Sequence, residues 1–274
     1  MVIAILLACY NSESYIGQQI NSIINQSVQQ FVLYIKDDGS NDGTLSIIDS
    51  YVNTNENIIL LRDDVIGRGA MKNFMWMLEN VDADYYMFSD HDDIWIENKI
   101  ALSLSEMLKL ENENPEKPVI VHTDLKVVNQ NLKCVSNSFW EYSNINPVLL
   151  KSFDYLAVSN GITGCTMILN QKSKDLAFPI GKFATMHDSW ISLCVANARG
   201  IIGCVKHQTV LYRQHQYNVI GAKKVGNLNY FLKKFLSPKR IVVENYSQFK
   251  MANEIHPLSL FSYLFYKILY LLKR

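Results

Sequence analysis

Residues 31–44, Phe31-Val32-Leu33-Tyr34-Ile35-Lys36-Asp37-Asp38-Gly39-Ser40-Asn41-Asp42-Gly43-Thr44, change character abruptly. An apolar, β-branched and aromatic run ends in carboxylates and turn formers. That is how a buried strand delivers polar groups to its carboxyl end. The stretch before it repeats the pattern. Val2–Ala8 is continuously apolar and runs into Tyr10-Asn11-Ser12-Glu13, as expected of a strand covered on both faces. No Lys or Arg precedes that run, so it is read as a first strand and not as a targeting segment.

Outward from these two strands the pattern alternates. Ile16, Ile20, Ile23 and Ile24 share one helical face, and a helix is expected around Thr44–Tyr51. Ile58–Leu61 reads as a third strand, Ala70–Leu78 as helix, and Tyr85–Phe88 as a strand ending in Ser89-Asp90-His91-Asp92-Asp93. The next helix is expected from about Ile96. Strands alternating with helices of this length predict an α/β fold, a parallel sheet with right-handed crossovers. Glu111–Pro118 (ENENPEKP) is the best internal boundary. Beyond it, strands are expected at Val119–Thr123, Thr166–Leu169, Ile201–Val205 and Val210–Tyr212. Helices are expected near Leu149–Val158 and Ser189–Ala198, with a long loop around Phe139-Trp140.

The chain has 274 residues, 49 % of them apolar and 19 % charged, which excludes a wholly disordered chain. Basic and acidic residues balance at 26 each, so no global bias marks a nucleic-acid partner. The balance conceals a split. Residues 223–274 carry ten Lys/Arg against two acids, a net of +8, leaving −8 on residues 1–222. Five isolated cysteines with no CxxC pair argue against a disulfide framework and predict a reducing compartment. No apolar run reaches the ~18–20 residues of a spanning helix.

Leu258–Leu272 is apolar but for two serines and Lys267. Such a helix is ~22 Å long, short of a ~30 Å hydrocarbon core. With the +8 segment, it predicts an in-plane helix drawn to anionic lipid. The competing expectation is a helix packed on the domain or on a second copy in a homodimer.

Ligands in open parallel sheets sit at the carboxyl ends of strands. Three polar clusters fall at such ends: Tyr10-Asn11, Asp37-Asp38, and Asp90/Asp92/Asp93. Each alone could be a turn or a helix cap. Together they form an acidic floor, and clustered carboxylates repel unless a cation sits among them. A hard ion, Mg²⁺ or Mn²⁺, suits that donor set, and such ions usually bind together with substrate phosphates. The implied substrate is a diphosphate. A Walker lysine loop and a GxGxxG are both absent from the sequence, which disfavours P-loop and dinucleotide chemistry.

Ala8-Cys9-Tyr10-Asn11-Ser12-Glu13, Asp37 to Thr44, Gly67 to Asn73 and Ser89 to Asp93 together resemble family-two glycosyltransferases. The resemblance covers about residues 1–220. It implies the GT-A fold, a Rossmann-like, mixed but mostly parallel sheet flanked by helices, with a C-terminal helical appendage. Residues 1–222 would be the catalytic domain, its nucleotide-binding half 1–111 and its acceptor-binding half 119–222, and 223–274 the basic tail. Further matches are similar to the bacterial rhamnosyltransferase-type branch that builds O-antigen and capsule chains. These are Asp92-Asp93-Ile94-Trp95, His122-Thr123-Asp124, Thr163-Gly164-Cys165-Thr166, Met186-His187-Asp188-Ser189-Trp190 and Tyr212-Arg213-Gln214-His215. That branch more often has Gln at His91 and Trp at Ser189, departures that leave the carboxylates in place.

By that resemblance, Ala8, Tyr10 and Glu13 line a base pocket and Asp38 accepts from the pyrimidine ring N–H. Arg68 or Lys72 contacts phosphate, and Asp90 sits near the ribose or the ion. Asp92 and His215 ligate the metal. Asp93 ligates, contacts the donor sugar or caps a helix. Asp188 is the catalytic base or a helix cap. Trp95 and Trp190 are candidates for stacking on the donor or acceptor sugar, with core packing as the alternative for each. His187 is a candidate to tune Asp188 or to touch the donor, and Arg213 a candidate donor or acceptor contact.

The implied reaction is inverting, metal-dependent transfer from a dTDP- or UDP-sugar to a lipid-linked oligosaccharide, with L-rhamnose as the sugar that branch suggests. It implies a cytoplasmic enzyme on the inner face of the plasma membrane. The alternatives are a nucleotidyltransferase and a non-catalytic sugar- or membrane-binding scaffold. The first lacks its glycine-rich basic loop after the first strand, and intact Asp90, Asp92, Asp188 and His215 argue against the second.

Overall fold

The computed structural model describes residues 1–215, 221–222 and 238–274. Residues 223–237, the first part of the basic segment, lie outside the described residues. Strands β1 (Ile3–Cys9), β2 (Phe31–Asp37), β3 (Ile58–Leu61) and β4 (Tyr85–Asp90) are the four anticipated, all parallel. Between them run helices α1 (Ile16–Ile24), α2 (Thr44–Val52) and α3 (Ala70–Asn80).

Every residue of β1 is buried, because the strand lies between β2 and β4 with helices on both faces. Its side chains alternate between two apolar cores. Ile3, Ile5 and Leu7 pack with Ile16, Ile20 and Ile23 of α1. Ala4 and Leu6 pack with Phe74 and Leu78 of α3.

The chain then adds β5 (Ile94–Trp95), α4 (Lys99–Glu113), β6 (Val119–Asn129), β7 (Cys134–Ser136), α5 (Phe139–Tyr142), α6 (Phe153–Val158), β8 (Met167–Asn170), α7 (Gln171–Leu176), α8 (His187–Asn197) and β9 (Ile201–Gln214). The sheet order is β3-β2-β1-β4-β8-β6-β9-β5, with β7 beside β6. The sheet is therefore continuous across the polar segment 111–118, which is the end of α4 and a turn.

The sheet is mixed but mostly parallel, as the resemblance implies: β1 to β4 pair parallel, as does β6 with β9. The antiparallel members are β5, β7 and β8. The two strands expected at 201–205 and 210–212 are one, β9. A ladder irregularity opposite Thr123–Asp124 leaves Lys206-His207-Gln208 exposed, so polar residues interrupt a continuous strand. The helix expected over 149–158 is broken by the extended Ser152. The loop around Trp140 contains β7 and the one-turn α5.

Helices α9 (Pro238–Ile255) and α10 (Leu260–Lys273) form the C-terminal appendage. It is not detached. Met251, Ala252, Tyr263 and Tyr270 are buried in the same core as α3 and α8.

Candidate active site

The register that aligns Ala8 with both Lys36 and Asp90 brings the ends of β1, β2 and β4 to one level. The first two loops are then laced together. Asp37 accepts from the Gly39 and Ser40 backbone N–H groups at 3.0 and 2.8 Å. Ser40 Oγ accepts from Asn11 N–H at 2.8 Å, and Asn11 Oδ1 accepts from Asn41 N–H at 2.9 Å. Glu13 Oε2 accepts from Gly43 N–H at 2.7 Å, so this expected base-pocket residue also braces the start of α2. Tyr10 stands exposed beside it and Ala8 is buried at the strand end.

Asp38 accepts from the backbone N–H groups of Arg68 and Gly69 at 2.9 and 2.8 Å. Those donors are presented by Gly67 and Gly69, both in the left-handed region at φ 73° and 79°, where a side chain would strain the backbone. Burial pushes the Asp38 carboxyl up, but bonds from Asn73 and these backbone groups outweigh it and hold it below the usual carboxylate range. Arg68 does not point at the strand ends. Its guanidinium pairs with Asp63 and lies 5.2 Å from the Trp76 ring centroid. Lys36 also pairs with Asp63, at 2.9 Å. Lys72 is exposed.

The acidic floor lies at the end of β4. Oxygens of Asp90 and Asp93 and the Cys165 sulfur all come within 4.8 Å of one another. Burial, then the charges of Asp92 and Asp188, raise Asp90 to about 7. Burial, then Asp92 and Asp90, push Asp93 well above the usual range. Asp93 Oδ1 accepts from Arg213 N–H at 3.0 Å, while Oδ2 is buried without a hydrogen-bond partner. Burial and these anions also push the Cys165 thiol up.

The short β5 explains how a residue 123 positions away reaches this floor. Ile94 pairs with Leu211 and Trp95 with Val210, and continuing that register sets Asp92 opposite Arg213. His215 Nε2 then stands 2.7 Å from Asp92 Oδ2. Its ring stacks on Tyr15, centroids 4.9 Å apart and planes at 14°.

The donor chemistry fits a divalent ion. Asp92 and His215, within hydrogen-bonding distance of each other, would offer such an ion one carboxylate and one imidazole. Carboxylates and one imidazole suit Mg²⁺ or Mn²⁺. The unpartnered Asp93 oxygen and the raised Asp90 are what a floor of excess negative charge should show.

Asp188 lies in the first turn of α8. Its Oδ2 accepts from Gly164 N–H at 3.0 Å and its Oδ1 from Ser189 N–H at 2.6 Å. Met186, not Asp188, holds the N-cap position.

Four candidate sugar contacts are buried in this structure, which for Trp95 and Trp190 is the core-packing alternative. Trp95 is 3 % exposed in the core, with Lys99 Nζ 4.7 Å from its ring centroid. Trp190 is packed in the other core and donates from Nε1 to the Ala177 carbonyl at 2.8 Å. His187 lies between Phe74 and Phe88, ring centroids 4.4 and 4.7 Å away. Burial lowers its pKa, and neither ring nitrogen has a hydrogen-bond partner. Arg213 is a buried latch. It donates to the Asp92 and Gln130 carbonyls at 2.8 and 2.9 Å and to Gln18 at 2.7 Å, its guanidinium 4.9 Å from the Tyr15 ring centroid.

Sequence reasoning gave no role to Tyr15, Gln18, Gly164 or Cys165. Gly164-Cys165 was marked by a motif match alone, and nothing marked Tyr15 or Gln18.

Comparison with known proteins bears on this geometry. Residues 4–190 match the sequence model of glycosyl transferase family 2. The chain is 30 % identical over 239 residues to the dTDP-rhamnosyl transferase RfbG of Shigella flexneri, spanning 79 % of this chain and 74 % of that one. It is 30 % identical over 108 residues to the Escherichia coli UDP-Glc:alpha-D-GlcNAc-diphosphoundecaprenol beta-1,3-glucosyltransferase WfgD, spanning 39 % of this chain and 42 % of that one. Among solved structures, S. aureus TarS 1–349 in complex with UDP-GlcNAc superposes with a TM-score of 0.58 at 20 % identity, covering 93 % of this chain and 71 % of TarS 1–349. The structure of TarS 1–349 alone gives 0.56, with 60 % of that chain covered. At such identity the likeness concerns the fold.

Proposed function

The chain belongs to glycosyltransferase family 2, and from that premise we propose that it transfers a sugar, L-rhamnose foremost, from a dTDP- or UDP-sugar to a lipid-linked oligosaccharide. The transfer inverts the anomeric carbon and serves bacterial surface polysaccharide synthesis at the inner face of the plasma membrane. The similarity to RfbG, a dTDP-rhamnosyl transferase, and to WfgD, a UDP-Glc:alpha-D-GlcNAc-diphosphoundecaprenol beta-1,3-glucosyltransferase, supports the nucleotide-sugar donor and, through WfgD, a lipid-diphosphate acceptor.

The observation that carries the reading is the Asp188 carboxylate, fixed by two backbone N–H groups and close enough to Asp90 to raise its pKa. In the transfer, the acceptor hydroxyl oxygen bonds to the anomeric carbon while the bond from that carbon to the diphosphate oxygen breaks. The diphosphate leaves with the electron pair, and the hydroxyl proton passes to Asp188. The fixed N–H donors orient the carboxylate toward that proton without reorganisation. Asp92 and His215 would hold Mg²⁺ or Mn²⁺, an ion that offsets negative charge on a leaving diphosphate when bound. Asp38 accepts from the Arg68 and Gly69 N–H groups and from Asn73, three of its roughly four lone-pair sites, which leaves one for a pyrimidine N–H.

The test is transfer from dTDP-L-rhamnose and from UDP-sugars, with Mg²⁺ or Mn²⁺, by the wild type and by Asp188→Asn. The variant is expected to lose roughly 10²–10⁴-fold in turnover while calorimetry shows unchanged dTDP binding. Lost binding in a folded variant would remove Asp188 from the base role.

A further inference from the structure

Helix α10 is amphipathic in the sense opposite to an ordinary surface helix. At 100° per residue its exposed apolar side chains fall within an arc of about 140°, and the exposed Lys273 lies outside that arc. Phe261 is 80 % exposed, Leu272 77 %, Leu260 and Ile268 59 %, Leu264 51 % and Phe265 49 %. The tyrosines and lysines face the other way. Tyr263 and Tyr270 are buried. Tyr263 donates to the Asn245 carbonyl at 3.1 Å, and Lys273 Nζ to the Tyr155 hydroxyl at 3.0 Å. Lys267 reaches the Val158 carbonyl. The helix is therefore docked on the domain by its polar-tipped face, and its Leu/Phe/Ile face is left outward. Contiguous apolar surface of that kind marks a docking site.

Charge selects the occupant. Residues 223–274 carry ten Lys/Arg against two acids. Two such segments brought together in a dimer would repel, whereas an anionic surface attracts them. Length selects the orientation. Fourteen residues make ~21 Å of helix, too short to cross a ~30 Å hydrocarbon core. The helix before it cannot complete a span by joining it. The pair bends by 116°, and Met251 and Ala252 of α9 are buried in the core.

We propose that α10 is an in-plane membrane helix, seated on an anionic bilayer by its Phe261/Phe265/Ile268 face. This holds whatever the donor sugar and acceptor are. Deleting the helix is a poor test, since it would uncover the core around Tyr263 and Tyr270. The full chain with Phe261→Ser, Phe265→Ser and Ile268→Ser changes only exposed positions. Wild type is expected to sediment with phosphatidylglycerol-containing vesicles at low salt and to be released at high salt. The triple variant is expected to bind at least about tenfold more weakly, with unchanged circular dichroism and nucleotide binding. The proposal is overturned by equal sedimentation of variant and wild type, by equal binding to phosphatidylcholine-only vesicles, or by no binding to either. It is also overturned if light scattering shows a dimer that the triple substitution converts to monomer.

Discussion

Replacing Lys99 by methionine is expected to stabilise the protein at neutral pH. Lys99 opens α4 and is fully buried, its Nζ without a hydrogen-bond partner. Burial, opposed only in part by Cys165 and Asp93, lowers its pKa from 10.5 to about 8. At ~1.4 kcal/mol per decade, holding the ammonium there costs about 3 kcal/mol relative to the exposed unfolded chain. Methionine has a similar unbranched shape and no charge to desolvate. Against this stands the contact of Nζ with the Trp95 ring, 4.7 Å from its centroid, worth about 1–2 kcal/mol. The net expectation is a gain of about 1–2 kcal/mol at pH 7.

The sign depends on pH in a defined way. Between about 8 and 10.5 the unfolded chain binds a proton at Lys99 that the folded chain has released, so wild-type stability gains on the variant as pH rises through that window. Urea midpoints followed by tryptophan fluorescence, with chelator present, measure the difference at pH 7 and pH 10. A variant less stable than wild type at pH 7, or a difference that does not change with pH, would refute the reasoning. It would mean that Lys99 is worth more as a counter-charge to Asp93 than its burial costs.

Two further outcomes follow from the site. Asp92→Ala removes the carboxylate paired with His215 at 2.7 Å and is expected to weaken Mn²⁺-dependent dTDP binding at least about tenfold, with metal-free binding little changed in calorimetry. Gly164→Ala would bring a methyl carbon to 2.9 Å from His187 Cε1, and that ring is wedged between Phe74 and Phe88. It is expected to cost about 1–3 kcal/mol in urea denaturation and to lower turnover, because the same residue's N–H holds Asp188; wild-type stability would show that His187 can move aside.

What the sequence disclosed depended on whether a residue's neighbours share its strand. The ends of β1, β2 and β4 were legible because each apolar run stops at carboxylates or turn formers, and parallel pairing puts those stops side by side. The Asp92–His215 pair had no such local signal and rested on a family motif. Its cause is a two-residue strand, Ile94–Trp95, too short to show a period. Helix α8 hid its orientation for a different reason. Its residues from His187 to Val195 are all buried, so no apolar stripe distinguished the side of Asp188 from that of Trp190. Identifying which residue types gather near a site left open which way each side chain turns. Trp95, Trp190, His187 and Arg213 all lie near the floor in sequence and turn into the core.

Arg213 shows why a buried cation is not automatically a ligand for the substrate. Its donors go to the Asp92 and Gln130 carbonyls and to Gln18, and its own N–H goes to Asp93. These bonds fix the backbone of the acidic segment against β9, and the register that results sets His215 against Asp92. The buried carboxyls of that segment are shifted upward, Asp90 to about 7 and Asp93 well above the usual carboxylate range, and Asp93 Oδ2 has no hydrogen-bond partner. Carboxylates clustered this deeply are an arrangement that a bound cation would relieve, beyond what the buried Lys99 offers Asp93. On the proposed reading, a divalent ion entering there would displace protons, so that occupancy of the floor and pH would be linked, and a donor diphosphate would bring further oxygen ligands.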